Sequence, residues 1–374
     1  MSGEALFWVG LTLVVVSYAG YPLWVAWLAR ARPVPVRAEY LPNHLLPRVT
    51  CVMAAANEAA LIERKLAILA QQDYPQEKIS IIIVSDASTD DTDRLVRGWA
   101  AGDRRIRLLR TSRRSGKPTA LNLARPFIDT DIVVLMDVRQ QLTRCALREL
   151  VAHLADPLVG VVSGDLRVEG DSYWSYEGLV RKFESRSGSM VQVTGSLYAL
   201  RTADFPEIPP DTILDDVFVP LSIALSGRRI VMAERAGSLD VVTRSVGNEF
   251  ARKVRTLAGL VQICHTVTGC LDPARNPVWA RFVVHKLSRL ACPYGLILVV
   301  TGTMMAPGWI YRLAFAGAIG LGLMALAGRV GIRSRLTSMS QSVLALNLAA
   351  VSAIPAYYLG WTSVTWARLE TDRT

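Results

Sequence analysis

The long apolar runs constrain this chain most, because a lipid-facing segment that stands alone must satisfy its own backbone and so must be helical. Residues 6–28 form such a run, with Trp8, Tyr18, Tyr21, Trp24 and Trp27 in it and Arg30, Arg32 and Arg37 after it. At roughly 20 residues it is long enough to cross a bilayer. A cleavable signal peptide carries its basic residues before the apolar core; here they follow it. That order predicts a retained helix, and the positive-inside rule then puts the next segment in the cytoplasm. Pro33, Pro35, Pro42 and Pro47 make the connection extended and semi-rigid.

Three more spans are expected near residues 290–305, 309–327 and 342–361. Arg329, Arg333 and Arg335 lie between the last two and place that loop inside, which makes the four spans mutually consistent. Upstream, Arg252, Lys253, Arg255, Arg281, Lys286 and Arg289 alternate with apolar residues. The pattern suits amphipathic helices in the headgroup plane, or surface helices packed on a soluble domain. The 51% hydrophobic content is concentrated at the two ends, and 374 residues suggest two to three units. A net charge of +10 without an aromatic-basic signature points away from nucleic acid. Anionic headgroups and a phosphorylated ligand account for it better. Cys51, Cys145, Cys264, Cys270 and Cys292 are scattered, so neither a zinc site nor a disulfide framework is expected.

Between the ends, strand-like and helix-like segments alternate. Residues 48–56, 79–86 and 106–110 read as strands, and 58–72 and 89–101 as helices. Such alternation predicts a parallel doubly wound sheet. Residues 132–141, IVVLMDVRQQ, read as a buried strand ending in Asp137. Each strand ends in polar residues: Asn57-Glu58, then Asp86 to Asp90, then Lys117 and Asn122, then Asp137. Taken singly, Asp86 and Ser88 also suit helix caps, Glu58 suits a helix start, and Lys117 suits a solvated surface. Four such ends on adjoining strands point to one pocket, since ligands of parallel α/β sheets bind at those ends.

The ordered series AANE, SDASTDDT, GKPTALN, MDVRQ, VTGSLYAL and ILDD resembles the inverting family 2 glycosyltransferases of GT-A fold, over about residues 47–255. One N-terminal and several C-terminal spans resemble its membrane-embedded polysaccharide synthases, such as the chitin-oligosaccharide, hyaluronan and cellulose types. The resemblance implies an α/β, Rossmann-like catalytic domain over 47–246, cytoplasmic at the cell membrane of a multi-pass protein. A transmembrane helix over 1–30 and a Pro-rich linker over 31–46 would precede it. Interfacial helices over 247–289 and a transmembrane region over 290–374 would follow.

It implies that Glu58 and Asp86 hold base and ribose of a nucleotide-sugar donor, that Lys117 lines the donor site, and that Asp137 holds the donor diphosphate with Mg2+ or Mn2+. Such hard cations suit carboxylate and phosphate oxygens. Asp216, matching the last acid of the family's TED-type motif, would be the base. Asp215 stands beside it. The lesser reading is that the helix dipole alone places these acids there. Thr194, Gly195 and Ser196 fall at the acceptor pocket, with Asp165 on a strand beside it. Trp174, Tyr176, Glu177, Arg181, Lys182 and Glu184 recur at helical spacing, where packing on the sheet is the simpler use.

Two departures from the family pattern matter. Arg139 stands where the second carboxylate of the DxD element is expected. Either Asp137 keeps the metal with an outside ligand such as Gln141, or Arg139 supplies part of the positive charge. Processive members carry Q/RxxRW; here Arg252 and Arg255 are present to grip a diphosphate, but Thr256 replaces the Trp. The expected activity is transfer from a UDP-type donor to a growing polysaccharide or a lipid-linked glycan, with a homo-oligomer or an export partner if a polymer is secreted. The alternative is a catalytically impaired sugar-nucleotide-binding subunit that supports a partner synthase. A channel or transporter component would carry buried charges in its spans, which these largely lack.

Overall fold

The computed structural model describes residues 1–168, 172–240, 246–332 and 334–362. The chain divides into two compact units, one of residues 1–24, 244–264 and 280–363 and the other mainly of 25–243 with 265–279. Helices α1 (Gly3–Val15) and α2 (Tyr21–Ala31) are joined by a π-helical turn over Val16–Gly20 and make one apolar rod of 29 residues.

The second unit is built on an eight-stranded sheet. In chain order its elements are β1 (Val49–Ala55), α3 (Ile62–Ala70), β2 (Ile79–Ser85), α4 (Thr92–Gly102), β3 (Ile106–Arg110), α5 (Lys117–Ala124), β4 (Ile132–Met136) and β5 (Gln141–Leu142). There follow α6 (Ala146–Leu154), β6 (Val159–Val168), α7 (Ser172–Arg186), β7 (Leu197–Arg201), α8 (Asp215–Ala224) and β8 (Arg229–Asp240). The strand order is β3-β2-β1-β4-β7-β6-β8-β5. β1 and β4 are buried throughout, as uninterrupted β-branched and aliphatic runs require of strands covered on both faces.

The parallel arrangement expected of the first strands is found, and the later strands make the sheet mixed. β3, β2, β1 and β4 are parallel, but β7 runs antiparallel to β4 and β6, and β5 antiparallel to β8. Hydrophobic periodicity reports burial, not strand direction, so sequence could not show this. The reversal has a consequence for the site. Leu197 pairs with Met136, so the start of β7 lies beside the end of β4 and Ser196 meets Asp137.

The remaining helices are α9 (Val246–Thr266), α10 (Trp279–Arg281), α11 (Ser288–Met305), α12 (Trp309–Arg329) and α13 (Arg335–Tyr358). Four helical stretches are long and apolar enough to cross a membrane: Gly3–Ala31, Trp279–Met305, Trp309–Arg329 and Arg335–Tyr358. The second begins well before residue 290, because a π-helical turn over Phe282–Leu287 continues into α11. Lys286 and Arg289, read from sequence as headgroup-facing, are instead 4% and 8% exposed. Tyr21 stacks on His285 with ring centroids 5.0 Å apart. α1 and α11 pack closely at glycines: a Cβ on Gly10 would clash with the Gly295 carbonyl, and one on Gly302 would come within 2.5 Å of the Phe7 amide. Arg333 lies outside the described residues.

Ile83 is fully buried in the layer between β2 and the helices that cover it. Ile83→Ala should cost about 2–5 kcal/mol by lost burial and a residual cavity, measured as a lower denaturant midpoint of the purified protein in detergent.

Candidate active site

Asp137 follows β4, and its amide donates to the Ser196 carbonyl at 3.2 Å. Its carboxylate meets Lys117, whose Nζ lies 2.9 Å from Asp137 Oδ1 and 3.3 Å from Asp215 Oδ2 and donates to the Gly195 carbonyl at 3.3 Å. Gly116, at φ +87°, makes the turn that starts α5 with Lys117 as its first residue. Lys117 is 7% exposed. Burial opposes its charge, but Asp137 and Asp215 more than offset this and hold its pKa above that of an ordinary lysine.

Asp215 and Asp216 open α8, where carboxylates are favoured by the helix dipole. Pro220 within that helix has no N–H for the carbonyl four residues back. The Asp216 carbonyl accepts the Val193 N–H instead, at 3.1 Å, which ties α8 to the segment leading into Gly195. A Cβ on Gly195 would lie 3.6 Å from Lys117 Nζ and 3.8 Å from Asp216 Oδ2, so its bare backbone borders the space between them. Beneath this group Tyr198 is fully buried, and its hydroxyl has no hydrogen-bond partner among the described residues. Burial first, and then Asp215, Asp216 and Asp137, push its pKa well up, so the phenol stays neutral.

The ends of β1 and β2 lock together. Asn57 and Ala87 both adopt positive φ, 61° and 48°. The Asn57 side-chain carbonyl accepts the Thr89 N–H at 2.8 Å, and the Glu58 N–H donates to Thr92 Oγ1 at 2.9 Å. Strained backbone of this kind is retained where the surroundings impose it, often at functional sites. Burial, then the nearby charge of Asp137, raises the Glu58 pKa to about 7, against the opposing effect of Arg139.

Asp86 and Ser196 have structural partners that the sequence did not indicate. Asp86 is 3% exposed, and its carboxylate accepts from Thr111 Oγ1 (3.0 Å), the Ser115 N–H (2.8 Å) and the Gly116 N–H (2.9 Å). It clamps the loop that delivers Lys117. The Ser196 hydroxyl is buried against Thr194 (2.8 Å) and Ser238 (3.0 Å), so Ser196 reaches the site through its carbonyl alone. Asp165 is held by Arg167 at 3.1 Å and Lys182 at 3.2 Å. Arg252 and Arg255 lie on α9, in the helical unit.

Arg139 is paired with Asp240, at the end of β8, and Gln140 Nε2 donates to the same carboxylate oxygen at 3.0 Å. Gln141 pairs through the backbone with Leu239. Lys65, 1% exposed on α3, donates to the Gln140 carbonyl at 2.8 Å, and burial lowers its pKa to about 8. Asp240, Lys65 and Tyr198 were not found from sequence. Nothing local marks them, since residues distant in the sequence surround each of them. A cleft of about 870 Å³ lined by Asn43, Gln72, Asp73 and Arg144 shares no residue with this cluster.

Fold and site together define a GT-A glycosyltransferase. The chain belongs to the family 2 glycosyltransferases: the family model described as glycosyl transferase family group 2 matches residues 132–330, and that described as glycosyl transferase family 2 matches 50–196. It is 24% identical over 228 residues to poly-β-1,6-N-acetyl-D-glucosamine synthase of Staphylococcus aureus, covering 57% of this chain and 55% of that one. It is 30% identical over 164 residues to β-monoglucosyldiacylglycerol synthase of a Nostoc species, covering 43% and 33%. The matches thus span about half of the first relative's length and a third of the second's. The mannosyltransferase PcManGT of Pyrobaculum calidifontis, solved with GDP-Man and Mn2+, superposes with a TM-score of 0.74 at 24% identity, covering 95% of this chain and 99% of that one.

The raised Glu58 pKa gives a signed prediction. Its folded value lies above the unfolded one, so the folded state is penalised as pH rises from about 4.5 and fully so above about 7. Glu58→Gln removes that penalty. The variant should melt at the parent's temperature near pH 4 and be more stable by about 1–3 kcal/mol at pH 8, as read by thermal unfolding across the range.

Proposed function

We propose that this chain is a membrane-bound inverting glycosyltransferase that moves a sugar from a nucleoside-diphosphate donor, of UDP type, to a growing polysaccharide or lipid-linked glycan on the cytoplasmic face. The observation that carries this is the single ammonium of Lys117 between Asp137 and Asp215, with Asp216 and the Gly195 backbone alongside. A donor-side carboxylate and a base-side carboxylate border one space. The names of the relatives support both acceptor classes, one being a polymer synthase and one a glycolipid synthase.

In the proposed reaction the acceptor hydroxyl attacks the anomeric carbon in line, the bond to the diphosphate breaks, and Asp216 takes the hydroxyl proton. Lys117 holds the Asp137 and Asp215 carboxylates in place, while Glu58 faces the nucleoside side. The residues fit a divalent cation held jointly with a diphosphate. Asp137 Oδ2 makes no hydrogen bond among the described residues, and Gln141 lies four positions on with an uncommitted amide. No described group of three or more His, Cys, Asp or Glu could hold a metal without the diphosphate. Mg2+ or Mn2+ shared with phosphate oxygens suits such a sparse site and would stabilise charge on the leaving diphosphate.

Labelled UDP- and GDP-sugars incubated with membranes holding the protein should give a glycan or glycolipid product. Asp216→Asn should lower transfer by roughly a hundredfold or more while nucleotide binding persists. Near-normal transfer by that variant would remove Asp216 as the base. Nucleotide binding without transfer or donor hydrolysis in the unchanged protein would favour the supporting-subunit alternative. Chelation should abolish transfer and Mn2+ restore it; full activity in chelator would refute the metal.

A further inference from the structure

The carboxylate missing from the DxD element has a counterpart elsewhere in the sheet. Asp240 ends β8 at 7% exposure and takes both the Arg139 guanidinium and the Gln140 amide on its Oδ2. Arg139 itself is 36% exposed, on the same turn as Asp137 and within electrostatic reach of Glu58. The backbone beneath is fixed by the Lys65–Gln140 bond and by pairing of Gln141–Leu142 with Ser238 and Leu239. An Arg side chain left to solvent would sample many rotamers. Here one buried carboxylate selects one of them, two residues after Asp137 in the chain.

Resting on the transferase reading, we propose that Asp240 is a positioning residue of the donor site. It holds the Arg139 guanidinium where the second DxD carboxylate would stand, so that a donor diphosphate is met there by a fixed cation. A guanidinium offers phosphate two parallel donors, and one pre-oriented by a buried partner loses less freedom on binding. Asp240 retains the Gln140 hydrogen bond when Arg139 turns part of its fork to the phosphate. The site therefore binds the diphosphate partly without metal, and the divalent cation adds to this grip.

The test is calorimetric binding of UDP and GDP to the full-length protein in detergent, in EDTA and with Mn2+. The unchanged protein should bind one of them in EDTA, and more tightly with Mn2+. Asp240→Asn should weaken the EDTA binding by about tenfold and change the Mn2+-dependent increment much less. Should that variant unfold, Arg139→Gln keeps the Gln140–Asp240 bond and tests the same pair. The double exchange Arg139→Asp with Asp240→Arg restores two carboxylates on the β4 turn. It should lose the metal-free binding and bind Mn2+ more tightly, as followed by Mn2+ resonance titration in the presence of nucleotide. Folded Asp240→Asn or Arg139→Gln protein that binds nucleotide in EDTA as the parent does would overturn the inference and leave the transferase reading intact. Failure of the unchanged protein to bind either nucleotide under any condition would overturn both.

Discussion

The arrangement of the catalytic unit depends on one buried ammonium. Asp137 follows β4 and Asp215 begins α8, so their carboxylates come from distant parts of the chain and would repel if left together. Lys117 stands between them, at 2.9 and 3.3 Å. A buried charge costs several kcal/mol when it lacks a partner; here each charge satisfies another. The surroundings deliver that ammonium to one place. Asp86 grips the loop before it, and Gly116 turns the chain into α5. The Gly195 carbonyl accepts a hydrogen bond from it.

The second half of the sheet serves the same point. If β7 ran parallel to β4, its start would lie beside the start of β4, at the opposite end from Asp137. Running antiparallel, it places Gly195 and Ser196 beside Asp137, and the segment before it bonds to the carbonyl that Pro220 leaves open on Asp216. Strand direction, a backbone carbonyl and a proline thereby set where the acid at the head of α8 lies relative to the acid at the end of β4.

Much of this was legible in the sequence, for a physical reason. Asp137, Lys117, Asp215 and Asp216 sit where local pattern already marks a strand end or a helix start, and the family resemblance gave them a shared order. Asp86 was legible as an acid at a strand end, yet nothing in the sequence says which donors take its lone pairs; they proved to be the loop of Thr111, Ser115 and Gly116. Asp240 was invisible because its partner lies 101 residues away in sequence. The early start of the Trp279–Met305 helix was missed because Lys286 and Arg289 read as headgroup cations, although packing buries them within the helical unit.

The charge balance of the site bears on how a leaving group is neutralised. Glu58, Asp137, Asp215, Asp216 and Asp240 gather around Lys65, Lys117 and Arg139, so carboxylates outnumber cations. The rise in the Glu58 pKa is one sign of that excess: with burial, the charge of Asp137 lets a proton stay on into the neutral range. A diphosphate brings further negative charge into this setting. Its entry is unfavourable unless cationic charge arrives with it or is already turned towards it. Arg139, pinned by Asp240, meets the second requirement only in part, because its charge is shared with its partner. In the proposed reaction a divalent ion would meet the first, with the oxygen of Asp137 left open by Lys117 as its protein ligand. In the proposed reaction the guanidinium and the metal ion are therefore complementary, the one fixing where the diphosphate lies and the other balancing the charge it gains as the sugar departs.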